Sequence, residues 1–282
     1  MAKWIRFEQD GKTGFGTLEG DTVVVHTGDM FAGATPSGEK LKLSGVRILT
    51  PSEPSKMICL WNNFHQLAAK NDFPVPDEPL YFLKAPSAYH PHDAPIVRPK
   101  SYDGRIIYEG ELGIVIGAGG RYIPAGKALD AIAGFVVLND ASARDWQRAA
   151  SQWTGGKNFE GSMPIGPEVV TTDEADVSDV ALTTVLNGQV MQSARTSQMI
   201  VDVPSAVEFF SSFTRLAPGD VIATGTPGGV GFARQPPVWL HPGDVIEVTV
   251  ENVGTIRNRV VAEPGDHAGW RWRPTGPQPS GL

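Results

Sequence analysis

The sequence predicts a mainly β or α+β fold, and three observations carry that expectation. Glycine and proline supply 32 and 23 of the 282 residues, which implies frequent turns. Between those turns stand short apolar runs of strand length. Few segments carry helical spacing, and the clearest starts only at Ser205.

Taken in order, residues 3–6, 14–18 and 22–26 read as short strands, separated by Asp10-Gly11 and Glu19-Gly20-Asp21 turns. This small β domain spans 1–52. Composition shifts after Pro51-Ser52-Glu53-Pro54, which places a boundary there, with a catalytic domain over 53–263. Residues 56–61 form a buried strand. Residues 62–88 carry Pro74, Pro76, Pro79 and Pro86 and read as an irregular, mobile flap. Two further strands are expected over 105–117 and 128–139. Asn187-Gly188 then joins 183–186 to 189–191, the strongest hairpin signal in the chain. Ser205 and Glu208 make a capping box for a helix presenting Val207, Phe210 and Phe213. Leu216-Ala-Pro-Gly-Asp-Val-Ile222 recurs as Leu240-His-Pro-Gly-Asp-Val-Ile246, each a turn that starts a strand. A Pro/Gly-rich tail fills 264–282, with Trp270 and Trp272 as its packing residues.

Composition excludes several function classes. The longest apolar run, residues 131–138, is far short of the roughly 18 residues a membrane helix needs. The opening MAKWIRFEQDG has no apolar leader core, so the expected location is cytoplasmic. A formal charge of −7 argues against a nucleic-acid surface. One cysteine, Cys59, rules out an internal disulfide and a multi-cysteine metal site.

The sharpest chemical feature is Glu109-Gly110-Glu111 within an apolar strand. Residues two apart share a strand face, so both carboxylates point the same way. A solvated acidic edge would give the same pattern. The neighbours Ile106, Ile107, Ile114, Val115 and Ile116 argue instead for a central strand, where paired buried carboxylates need a cation. Asp140 ends the apolar run 134–138. Alone it reads best as the N-cap of a helix over 141–147; beside Glu109 and Glu111 it supplies a third oxygen ligand. Three carboxylates without a Cys or His cluster select Mg²⁺ or Mn²⁺ over zinc. In His90-Pro91-His92, Pro91 and the following Asp93 point to an exposed loop rather than a metal pair. The stretch Thr224-Gly-Thr-Pro-Gly-Gly-Val-Gly231 lacks both nucleotide-loop fingerprints; it is either a tight turn or a cradle of backbone N–H groups for an oxyanion.

Five segments in order make residues 56–263 resemble the fumarylacetoacetate hydrolase family: YEGELGIVIG (108–117), LNDASARDWQ (138–147), QWTGGKNFEGSMPIGP (152–167), LNGQVMQ (186–192) and LAPGDVIATGTPGGVG (216–231). The resemblance implies a mixed β-sandwich roll with a small N-terminal β domain, a homodimer, and Mg²⁺ or Mn²⁺ on Glu109, Glu111 and Asp140. It places Arg144, Gln147, Lys157 and Thr226 where the family contacts substrate or supports the metal. A small 2-oxo acid could chelate such a metal, with enolate charge stabilised by the cation, Lys157 and the Thr226 loop. The expected activity is therefore hydrolysis of a C–C bond in a 2-oxo or 2,4-dioxo acid, such as an acylpyruvate or an aromatic ring-fission product. Tautomerisation (isomerisation) or decarboxylation of a 2-oxo dicarboxylic acid is the alternative on the same residues. A non-catalytic binding protein is disfavoured, because an unused acidic cluster costs stability.

One departure from the family separates these activities. Its G-x-N-Y-x-x-H-x-x-E pattern, whose His and Glu activate water, falls on WNNFHQLAAK (61–70), with Leu67 at the His position and Lys70 at the Glu position. His65, two residues out of register, is the nearest replacement base.

Overall fold

Turn chemistry sets the N-terminal strands. Asp10, Gly11 and Gly20 take positive φ, and the chain doubles back between strands Lys3–Gln9, Lys12–Glu19 and Thr22–Thr27. A fourth antiparallel strand, Thr35–Lys42, follows them. The computed structural model describes residues 2–70 and 72–265. The remainder of the tail, with Trp270 and Trp272, lies outside the described residues.

The N-terminal meander does not stand apart. Lys3 and Trp4 pair with Val170 and Val169 of strand Met163–Val170, so one twelve-stranded sheet runs through the molecule. From Met163–Val170 it continues through Ile132–Asn139, Gly110–Ile116, Val221–Ala223, Met57–Leu60 and Tyr81–Lys84. A second sheet of five strands has Gln189–Arg195, Ala181–Leu186, Val245–Val250, Gly254–Ala262 and Ile96–Arg98 in that order. Alternation explains the layering. Leu112, Ile114 and Val137 pack with Leu182, Val248 and Ile256 of the second sheet. Val115, Val136 and Leu138 point the other way, onto Met57, Cys59 and Ala223. Strand Gly110–Ile116 is therefore buried on both faces, as its flanking isoleucines indicated.

Several local expectations hold. Asn187 and Gly188 both take positive φ, the geometry of a two-residue I′ turn, between Ala181–Leu186 and Gln189–Arg195. The two Pro-Gly-Asp copies fold alike. Asp220 Oδ2 accepts from Ala217 N at 2.8 Å, and Asp244 Oδ2 accepts from His241 N at 2.7 Å.

Others need correction. The segment 62–88 is not irregular throughout: it contains helix His65–Lys70 and strand Tyr81–Lys84, paired with Met57–Leu60. The 105–117 run breaks, and Ile106–Ile107 pairs with Ser142–Ala143 in a separate ribbon. The long helix is Val203–Phe213, capped by Asp202, whose carboxylate accepts from Ser205 N at 2.9 Å. Ser205 thus sits in the first turn beside Pro204, a position that suits proline because no N–H is needed there. His90 lies in a short strand parallel to Met163–Val170 and is half-buried, not on an exposed loop. No helix among the described residues is long and apolar enough to cross a membrane.

Candidate metal centre

The centre forms where the central strand leaves the sheet. Glu109 precedes strand Gly110–Ile116, and Asp140 follows its antiparallel neighbour Ile132–Asn139. The two chain ends are tied together, since Asp140 N donates to Glu109 O at 2.8 Å and Glu109 N to Asn139 Oδ1 at 2.9 Å. One ligand oxygen from each of Glu109, Glu111 and Asp140 lies within 4.8 Å of the others, and all three residues are buried. Asp140 is no N-cap. The helix begins later, at Arg144, and both Asp140 oxygens are taken by lysines.

Lys157 Nζ donates to Asp140 Oδ2 at 2.5 Å and to Glu109 Oε2 at 2.6 Å. Lys84 Nζ donates to Asp140 Oδ1 at 2.6 Å and to Ser162 Oγ at 3.1 Å. Glu111 receives only Gly225 N, at 2.8 Å; among the described residues no cation pairs with it. The electrostatics follow from this arrangement. Burial, then the Asp140 and Glu109 charges, push the Glu111 carboxyl well above the usual carboxylate range. Burial also raises Glu109, with Lys157 pulling against it. At Asp140 burial opposes ionisation, yet Lys157 and Lys84 outweigh it and hold the group below its ordinary value. Lys157 is pushed upward, because Asp140 and Glu109 outweigh its burial. Three buried carboxylates facing two ammonium groups leave one carboxylate without a counter-charge. An all-oxygen donor set with that deficit fits a hard divalent cation.

A cavity of about 130 Å³ opens onto this cluster. Glu109, Lys157, Arg144, Gln147 and Thr226 line it, together with the apolar side chains of Trp61, Leu67, Phe73, Trp153, Val230 and Phe232. Arg144 donates to Gln147 Oε1 at 2.7 Å and stacks 4.0 Å from the Phe232 ring centre. The structure thus gathers seven of the eight residues singled out from sequence. His65 is the exception. Phe64, Leu67 and Ala68 turn inward from the short helix, which leaves His65 exposed and off the cavity wall. Leu67 stands there instead.

In Thr224-Gly-Thr-Pro-Gly-Gly-Val-Gly231 a single backbone N–H, that of Gly225, donates to the protein's own Glu111, and Gly225 and Gly229 take the positive φ of a tight turn. Gly225 takes φ of +89°, and a Cβ there would stand 3.0 Å from the Asn63 Cβ. Two residues escaped the sequence reading. Lys84 ends the strand Tyr81–Lys84, where a lysine after Tyr-Phe-Leu looks like a solvated strand end. Gln192 is buried behind the loop and bonds Thr226 Oγ1 at 2.8 Å.

Comparison with known proteins accords with this geometry. Residues 56–261 match the family model described as fumarylacetoacetate (FAA) hydrolase C-terminal, and residues 2–51 match one described as Rv2993c-like, N-terminal. The chain is 42% identical over 226 residues to the mitochondrial oxaloacetate tautomerase FAHD2A of Bos taurus, covering 78% of this chain and 71% of that one. Among solved structures, 5-carboxymethyl-2-hydroxymuconate delta-isomerase from Mycobacterium smegmatis superposes with a TM-score of 0.83 at 37% identity, covering 93% of this chain and all of the other. A fumarylacetoacetate hydrolase from Exiguobacterium antarcticum gives 0.85 at 35% identity, with 93% of this chain and all of the other covered.

Proposed function

The chain belongs to the fumarylacetoacetate hydrolase family, and on that premise we propose that it is a divalent-metal-dependent tautomerase of 2-oxo dicarboxylic acids of the oxaloacetate kind. Leu67 carries this reading. It lines the cavity at the position of the family's water-activating histidine, and among the described residues no imidazole lines that cavity. C–C hydrolysis consumes a water that a base must activate. Tautomerisation moves a proton between carbon and oxygen of one substrate and consumes none. The similarity to a tautomerase and a delta-isomerase supports the same choice.

Glu109, Glu111 and Asp140 would hold the cation. When bound, it supplies a Lewis acid that stabilises negative charge on the substrate's 2-keto oxygen. Lys157 keeps its proton, because two carboxylates hold it, and serves as a fixed positive charge beside that oxygen rather than as a base. Arg144, braced by Gln147 and Phe232, offers a planar fork to the distal carboxylate. Trp61, Phe73, Trp153 and Phe232 keep bulk water from the enolate.

The test follows enol-to-keto conversion of oxaloacetate by loss of enol absorbance, with products identified by proton NMR. With Mg²⁺ the enzyme should accelerate conversion above the uncatalysed rate, fall back to that rate in chelator, and leave acylpyruvates intact. Rapid Mg²⁺-dependent release of pyruvate from an acylpyruvate would overturn the tautomerase reading in favour of hydrolysis.

A further inference from the structure

The edge of the strand that carries both glutamates is closed by two side chains. Gly110 pairs with Asn139 on one side. On the other, the neighbouring strand Val221–Ala223 reaches only as far as Gly113. There Gln192 Oε1 accepts from Gly110 N at 3.1 Å, and Thr226 Oγ1 bonds the Gly110 carbonyl at 3.0 Å. Gln192 Nε2 joins the two, donating to Thr226 Oγ1 at 2.8 Å and to the Pro227 carbonyl at 3.0 Å. These partners fix the direction of every bond. The Gly110 amide is a donor and the Pro227 carbonyl an acceptor, so the Gln192 amide has one orientation. Thr226 Oγ1 then accepts from Gln192 and gives its single proton to Gly110, leaving no donor for a substrate.

Gly110 cannot retreat from this grip. On its far face a Cβ would stand 2.1 Å from Thr184 Oγ1 and 2.9 Å from Val248 Cγ1, so the strand already lies against the second sheet. Fixing Gly110 fixes Glu109 and Glu111 on either side of it. The tolerance is small. Oxygens around Mg²⁺ sit at about 2.1 Å, so two of them are at most about 4.2 Å apart. The carboxylate oxygens here lie within 4.8 Å of one another.

We propose that Gln192 and Thr226 are positioning residues, a clamp on Gly110 that sets the spacing of Glu109 and Glu111 for a divalent cation, and that Thr226 is not a substrate donor. This rests on reading Glu109, Glu111 and Asp140 as the metal site. Mn²⁺ affinity measured by calorimetry, beside thermal melts and steady-state kinetics, tests it. Thr226→Val and Gln192→Met should each weaken Mn²⁺ binding about 10- to 100-fold, the range for groups that hold metal ligands in place. Thr226→Ser should restore wild-type affinity, and the double variant should be no weaker than the weaker single, because the pair acts as one unit. If Thr226→Val does not fold, Gln192→Met, which keeps length and volume, decides. Wild-type Mn²⁺ affinity in the folded variants, or a raised KM with unchanged Mn²⁺ affinity, would overturn the clamp. Binding to the wild type that Glu111→Gln leaves unchanged would instead overturn the metal site itself.

Discussion

Replacing Lys84 by Met tests whether lysine and cation share one carboxylate. Lys84 is buried, 2.6 Å from Asp140 Oδ1, and Met keeps most of its volume while removing the charge. In the metal-free protein, the substitution leaves two of the three carboxylates uncompensated instead of one. Removing one partner of a buried ion pair costs about 3–5 kcal/mol. At about 2 °C per kcal/mol for a chain of this size, the melting temperature in chelator should fall by about 6–10 °C. A divalent cation replaces the lost charge and meets less repulsion than in the wild type. Saturating Mn²⁺ should therefore recover much of that loss, and the Mn²⁺-induced rise should be larger in the variant. Differential scanning calorimetry of both proteins, with chelator and with excess Mn²⁺, gives the four melting temperatures needed. An equal loss in both conditions would refute the reasoning, since lysine and cation would then not act on the same carboxylate.

Glu111→Gln should abolish Mn²⁺ binding and turnover, yet melt at or above the wild-type temperature in chelator, because it removes a buried charge that lacks a partner. The same raised pKa sets a pH dependence. Its stabilising contribution is complete below the unfolded carboxylate value, about 4.3, and is lost as pH rises through the elevated folded value. Melting curves against pH should thus show the metal-free wild type losing stability relative to Glu111→Gln as pH rises. His65→Ala should leave turnover within about twofold of wild type, since His65 is exposed and off the cavity wall; a loss of the 10²- to 10⁴-fold expected of a general base would return it to the mechanism. Installing the family's pair by Leu67→His with Lys70→Glu should produce Mg²⁺-dependent pyruvate release from acylpyruvates. Silence from a folded double variant would show that more than the pair separates the two activities.

The gathering of Glu109, Glu111 and Asp140 is legible because strand geometry projects directly from sequence. Alternation put Glu109 and Glu111 on one side, and the flanking isoleucines announced a strand buried on both faces. Lys84 was not legible, as its partner lies 56 residues away and only the sheet brings them together. The same holds for Gln192, 82 residues from Gly110. His65 is different. The inward spacing of Phe64, Leu67 and Ala68 was already present in the sequence and, read as a short helix, places His65 outside. Proline content suggested an irregular flap and masked that period. The long helix is legible from Val207, Phe210 and Phe213, but the match of Ser205 and Glu208 to a capping box places its start too late. Pro204 fits the first turn, which makes Asp202 the better cap.

The pairing of Lys3 and Trp4 with Val169 and Val170 bears on how the two matched segments can be inherited or engineered. A sheet edge left bare is a template for other chains; Tyr89–Pro91 already lines Met163–Ile165, so the part the N-terminal strand covers is the apolar end at Val169 and Val170. The first fifty residues cover that end and pass the sheet's border outward to Thr35–Lys42. That border strand is almost wholly exposed and carries Pro36, Glu39, Lys40 and Lys42, residue types that resist edge-to-edge association. The N-terminal segment thus moves the open border of the sheet from the apolar end at Val169 and Val170 to a charged strand. A graft that exchanges it must preserve the register at Val169 and Val170 as well as the fold of the segment itself.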